Sequence, residues 1–475
     1  MNLKRKMILL GMILTLFSIA GCLHKTDLPL LTSHTDDQRP VLIKNGTLFT
    51  GNPDEDILEN VNILVRGDTI TLISLDEINA PDAQVIDAGG KVIIPGLIDS
   101  HVHTHGSGSP PSLMALPNPD RNMSAFLYAG ITTVIDKGGA PEDLEEMSQK
   151  IEENQLAGSR LYYSGRIFTA ADGHPAAMIR KMVFWPLSEL IVSSVTYEVD
   201  SETDITELIR ENKNHGARFT KIVVDQIPLG IPSLNSDQVA RIVKASNMEN
   251  FTTVAHIGSE DDILTAMEGG VRFFIHGPYR STLSEKTVEK MKRAGCIVQP
   301  TLAVFDNLVL YGEHQLSFSE LDTEIADPVI LEEYKKSPPE GADDDLAEWL
   351  RNAAEYKEIK FQNAIKMKNA GIPLIAGSDS ANVASFPGST LHREMELLVT
   401  RCGFSPLEAV SAATYVPGKL YAKITDQPLL GYIREGAPAD LLILNGDFRD
   451  DITQTQNIHV VVYKGKMIRR HVPEK

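Results

Sequence analysis

The chain has 475 residues, 42% of them hydrophobic and 23% charged, and carries a formal net charge of −19 at pH 7. That length exceeds a single small core and suits a large domain with an accessory one, while the apolar fraction excludes a disordered chain. No basic stripe is available to neutralise phosphates, which excludes nucleic acid as a partner, and the acidic excess reads as a solvated surface.

In chain order, Lys4-Arg5-Lys6 and the apolar run 7–19 form a basic and then hydrophobic leader, too short to span a bilayer comfortably. It ends in Ile19-Ala20-Gly21-Cys22, which resembles the lipobox of bacterial lipoproteins. The resemblance implies that 1–21 is a signal peptide and Cys22 the lipidated N-terminus. It also implies an enzyme held at a membrane in the cell envelope, facing the periplasm or exterior. An uncleaved anchor, or a secretory signal with an incidental cysteine, competes with this reading. Cleavage would remove three cationic residues and no acidic one, taking the formal charge from −19 to −22. Residues 22–40 are polar and mixed and read as a tether. Cys296 and Cys402 then remain, too few for a disulfide framework; buried free thiols are the default, although a bridge between them stays open.

Residues 41–94 alternate in short apolar runs punctuated by Gly, Asn and Asp, and 431–475 return to the same texture. Together they predict a small β-sandwich built from both termini. Between them, 95–430 alternate strand and helix. Apolar runs at 92–103, 132–135, 160–164, 219–224, 251–257, 273–276, 296–302 and 372–378 are separated by amphipathic stretches such as 141–155, 236–250 and 284–294. The fold class expected is α/β, a (β/α)₈ TIM barrel. A doubly wound sheet is the alternative, but no Gly-rich fingerprint follows the first strand. A polar insertion at 305–349, after the seventh strand, reads either as a surface excursion or as a cover over the substrate.

Barrel enzymes carry their reactive groups at the C-terminal ends of strands. His101 and His103, spaced i and i+2, share one face of a strand and can aim at one cation. Lys221 lies among apolar residues, where it would snorkel, pair with a carboxylate, or carry CO₂ as a bridging carbamate. His256 and His276 close two consecutive strands. Asp379 follows the last strand, as a helix cap or as a general base beside a metal. His174 and Tyr279 are weaker, substrate-side candidates.

The segments PGLIDSHVH (95–103), AGITTVIDKGGA (129–140), SGRIFTAADGHP (164–175), AHIGS (255–259), FFIHG (273–277), AGSDS (376–380), LHREMELLV (391–399), SPLEAVSAAT (405–414) and GAPADLLIL (436–444) resemble the amidohydrolase superfamily. The likeness is to its imidazolonepropionase-like and prolidase-like branch, over roughly residues 41–470. It implies two divalent metal ions, zinc first among candidates, about 3.5–4 Å apart. His101, His103 and Asp379 would hold one, His256 and His276 the other, and carboxylated Lys221 would bridge them. Asp379 would take the proton of a bridging water and pass it to the leaving nitrogen. The implied reaction is hydrolysis of an amide or peptide bond in a small molecule, such as a dipeptide or N-acyl amino acid. A mononuclear zinc deaminase or cyclic-imidate hydrolase is the alternative, although the place three residues beyond His256 holds Ser259 rather than a glutamate. A metal-free binding protein on this scaffold should have lost ligands, and every ligand position is filled. Two departures from relatives stand out. Asp225-Gln226-Ile227-Pro228 replaces a Gly-rich turn, and Asp172 replaces one of two glycines before His174. Whether the chain forms a homo-oligomer is left open.

Overall fold

The computed structural model describes residues 30–31, 38–113, 115–336 and 344–470; the leader and Cys22 lie outside them. The first strands are β1 (Val41–Leu48), β2 (Leu58–Arg66), β3 (Thr69–Ser74), β4 (Gln84–Asp87) and β5 (Val92–Pro95). Nine short strands follow: β6 (Leu97–Val102), β7 (Ile131–Asp136), β8 (Arg160–Tyr163), β9 (Ile167–Ala170), β10 (Thr196–Val199), β11 (Thr220–Val223), β12 (Thr253–His256), β13 (Phe273–Ile275) and β14 (Ile297–Gln299). The last are β15 (Leu441–Leu444), β16 (Ile458–Tyr463) and β17 (Lys466–Ile468).

Strands from both termini pair into one eight-stranded sheet in the order β17-β16-β15-β5-β1-β2-β3, with β4 also on β1. Side chains alternate across a strand, so each strand serves two cores. Ile93, Leu441, Ile443 and Val462 face Ile43, Ile63 and Val65 in a core of the sheet's own, giving the sandwich. Their neighbours Ile94, Leu442, Leu444, Val461 and Tyr463 face the barrel. A buried ion pair joins the two parts, with Arg160 Nη1 on β8 lying 2.7 Å from Asp440 Oδ2.

The middle is the (β/α)₈ barrel, drawn as parallel ladders β6-β7-β8 and β10-β9-β11-β12-β13-β14. The ladder is not continuous around the ring. The eighth barrel segment, 372–380, meets its neighbours through the single bridges Val298 to Leu374 and Val102 to Ser380. Backbone bonds supplement these, from Ser100 N to Ala376 O at 3.3 Å and from Asp379 N to His101 O at 2.8 Å.

The insertion, read from its polarity as a surface excursion or a cover over the substrate, is largely helical among the described residues. It forms helices Leu302–Gly312, Glu320–Ile325, Pro328–Lys335 and Asp344–Asn369. Their apolar faces bury Tyr311, Ile330, Leu331 and Tyr334 against Ala384 and Phe386, so the charges that made the segment look loop-like are the solvent side of amphipathic helices. Tyr334 accepts Ala384 N–H at 2.6 Å and donates to Gly108 O at 2.8 Å. It thereby ties together the loops that follow His103 and Asp379. No helix among the described residues is long and apolar enough to cross a membrane.

Candidate metal centre and active site

β6 delivers His101 to the barrel mouth, with Asp99 on the same side of the strand. Asp99 accepts from His101 N at 3.2 Å, Ser378 N at 2.9 Å and Ser378 Oγ at 2.5 Å, and so joins β6 to the segment that carries Asp379. Burial pushes the Asp99 carboxyl up to about 7, against the opposing pull of the hydrogen bonds it accepts from Ser378 and His101. Asp379 has φ 58°, a left-handed conformation uncommon for a residue with a Cβ and concentrated at functional sites.

His101, His103 and Asp379 bring one ligand atom each to within 4.8 Å of one another. Asp379 Oδ1 is 3.2 Å from His101 Nε2 and 3.4 Å from His103 Nε2. Two donors about 2.0–2.2 Å from one tetrahedral zinc lie about 3.4 Å apart, so these separations fit a shared cation. Both ring nitrogens of His101, and Asp379 Oδ1, are buried without a hydrogen bond. Burial and the nearby cations hold His101 well below its ordinary pKa, in the neutral form that binds metal. Burial also lowers His103, but Asp379 outweighs it and the net direction is up.

The other imidazoles continue from this triad. Ring centroids are 5.0 Å apart for His101 and His276, 4.2 Å for His276 and His256, and 5.5 Å for His256 and His174. His276, just past β13, shares a 2.6 Å hydrogen bond between Nδ1 and Thr301 Oγ1. Burial holds His276 well below its ordinary range and presses His174 down to about 3. Lys221 on β11 is 2% exposed, and burial pushes its amine down to about 7.

Tyr279 does not present its hydroxyl to the mouth. It donates to Asp225 Oδ2 at 2.7 Å and packs on Phe305, with centroids 4.7 Å apart. Reasoning from the sequence misses Asp99, Asp225 and Thr301 as parts of this site. Asp99 and Asp225 are visible as acidic residues inside apolar strand ends; Thr301 carries no signal, because its partner lies 25 residues away.

The Amidohydrolase family model matches residues 92–468. Ochratoxinase of Aspergillus niger is 24% identical over 472 residues, covering 92% of this chain and 88% of its own. Imidazolonepropionase of Shouchella clausii is 22% identical over 405 residues, covering 82% and 80%. Among solved structures, an amidohydrolase superposes with a TM-score of 0.71 at 27% identity, covering 92% of this chain and 99% of that one. A Xaa-Pro dipeptidase with methionine bound in its active site reaches 0.72 at 20% identity, covering 90% and 99%, a likeness of fold alone. With the family match spanning the barrel and most of the terminal sheet, this chain belongs to the amidohydrolase family and is a hydrolase of carbon–nitrogen bonds.

Proposed function

We propose that the protein hydrolyses an amide or peptide bond in a small substrate such as a dipeptide or N-acyl amino acid, with two divalent cations, zinc first, in the site. The observation that supports metal-dependent hydrolysis is the convergence of His101, His103 and Asp379 at zinc-like separations, and the second cation rests on the neighbouring His256, His276 and Lys221. Divalent cations bound there supply Lewis acidity toward the scissile carbonyl and ease ionisation of water. Asp379, its side chain 11% exposed at the mouth, accepts the proton of the attacking water and returns it to the leaving nitrogen. His256 and His276 would hold the second cation. Lys221, whose amine burial brings down to about 7, would react with CO₂ in its neutral form, releasing a proton, and the resulting carbamate would supply an anionic ligand to the cations. His174, neutral and with an unpaired buried Nδ1, orients the substrate carbonyl. Fold neighbours named for dipeptidase and prolidase activity make dipeptides the first substrates to try.

One observation favours a mononuclear deaminase or cyclic-imidate hydrolase instead. Among the described residues, the triad is the only group of three or more His, Cys, Asp or Glu ligand atoms that converges. Metal analysis of protein prepared with zinc and bicarbonate separates the readings. Two ions per chain, falling to one in Lys221→Ala, support the first; one ion, unchanged in that variant, overturns it. The metal-loaded protein should turn over members of a dipeptide and N-acyl-amino-acid library, and no turnover across the library would sink the substrate assignment. Lipidation at Cys22 and a place in the cell envelope complete the proposal.

A further inference from the structure

We propose that Asp225 is a positioning residue that fixes the tautomer of His256 and thereby the affinity of the second cation; the inference rests on the reading of His256 as a ligand. Asp225 is 1% exposed. Its Oδ1 accepts Gln226 N–H at 2.7 Å and an Arg280 N–H, and its Oδ2 accepts the Tyr279 hydroxyl at 2.7 Å. The same Oδ2 lies 3.2 Å from His256 Nε2. A buried carboxylate costs stability unless its lone pairs are engaged, and here each oxygen is engaged twice.

The arrangement is directional. A carboxylate against Nε2 keeps the proton on that nitrogen and leaves the Nδ1 lone pair free to bind a cation. This is how outer carboxylates orient imidazole ligands and raise their basicity. Neutralising Arg280 does not account for Asp225, because Arg280 Nη2 also donates to Asp262 Oδ2 at 2.9 Å. The backbone makes room for the contact. A Cβ on Gly258, two residues past His256, would sit 2.5 Å from both carboxylate oxygens of Asp225. Gly258 O meanwhile accepts the N–H groups of Tyr279 and Arg280, each at 2.9 Å, so this turn brings His256, Tyr279 and Arg280, three of the four groups on the carboxylate, together.

The test combines imidazole ¹⁵N NMR on metal-free protein with zinc titration against a competing chelator. In the wild type, His256 should be protonated at Nε2 and bare at Nδ1. In Asp225→Ala this preference should be lost, and affinity for the second ion should fall about 10–100-fold with the first unchanged. Asp225→Asn, which keeps an acceptor without the charge, should fall between the two. Gly258→Ala, which alters no ligand, should repeat the selective loss. An Nδ1-protonated His256 in the wild type overturns the proposal whatever the variants do, even if Asp225→Ala fails to fold. Equal weakening of both ions, with no recovery in Asp225→Asn, overturns it in favour of a merely structural carboxylate. A chain that binds one ion in total, with His256 protonated at Nε2, refutes the two-cation reading and not the tautomer.

Discussion

Asp379 concentrates the chemistry at the scale of single residues. It lies 3.2 and 3.4 Å from two imidazoles, and its left-handed backbone turns the carboxylate toward them. Asp379→Asn keeps an oxygen that can coordinate weakly but loses the basicity needed to accept a proton. The variant should retain most of its metal by elemental analysis, while kcat falls about 10²–10⁴-fold. Turnover near that of the wild type would move the base to another group, with His174 next in line. The other buried polar residues of the site divide into those that face the cavity and those that hold them. Asp99 pins the strand of His101 to the segment of Asp379, and Thr301 fixes Nδ1 of His276.

Elements matter because the ligands sit at or just past strand ends, and the loops that follow are held in place by other elements. The insertion helix Pro328–Lys335 spans two of these loops through Tyr334. Tyr334→Phe leaves Ala384 N–H and Gly108 O without their partner. It should destabilise the fold by about 1–3 kcal/mol in denaturant melts. Metal should also be lost faster, since the loops that follow His103 and Asp379 are no longer tied. The helix Ser389–Cys402 is fastened by His392, whose ring nitrogens bond Thr455 Oγ1 and Ala129 O at 2.9 Å each. Burial presses His392 down from 6.5 to about 4. Between those values the unfolded chain binds a proton that the folded chain does not. Stability contributed by the neutral ring is therefore present above pH 6.5 and is lost as pH falls toward 4, by up to about 1.4 kcal/mol per pH unit. His101, His174, His256 and His276 are shifted in the same direction, so the check is a comparison: His392→Gln should show a shallower fall than the wild type over this range.

For the whole molecule, the barrel and the terminal sheet are packed as one body through the outer face of β5, β15 and β16 and the Arg160–Asp440 pair. The chain ahead of this body bears on where the enzyme works. Leu30 and Leu31 are buried, and Leu31 bridges to Arg470. A lipid on Cys22 would therefore hold the enzyme close to its membrane, and the several acyl chains of a lipoprotein anchor far more firmly than one. Cys22→Ser should shift the protein out of the membrane fraction or block its processing. Wild-type protein found free in the cytoplasm with Met1 intact would refute the lipid anchor.

Patterns local in the chain are legible in the amino-acid sequence by itself. The period-2 runs at both termini, the strand–helix alternation between them and the His-x-His at a strand end depend on neighbouring residues, and they carry the fold class and the candidate ligands. The insertion, loop-like in its polarity yet helical, marks the limit of such patterns. An amphipathic helix discloses its buried face only when Ala384 and Phe386 arrive to cover it. The eighth barrel segment likewise reads in the sequence as an ordinary strand, but pairs through isolated bridges. Tertiary structure alone decides which polar side chains converge at the barrel mouth and which turn away from it. Tyr279 reads as a substrate contact until its hydroxyl is seen on Asp225, and Asp225 reads as a loop residue until His256, Tyr279 and Arg280 close around it. The physical reason is that a buried polar group is assigned by its partners, and those partners stand 55 positions away for Asp225 and Arg280 and 279 for Asp99 and Ser378.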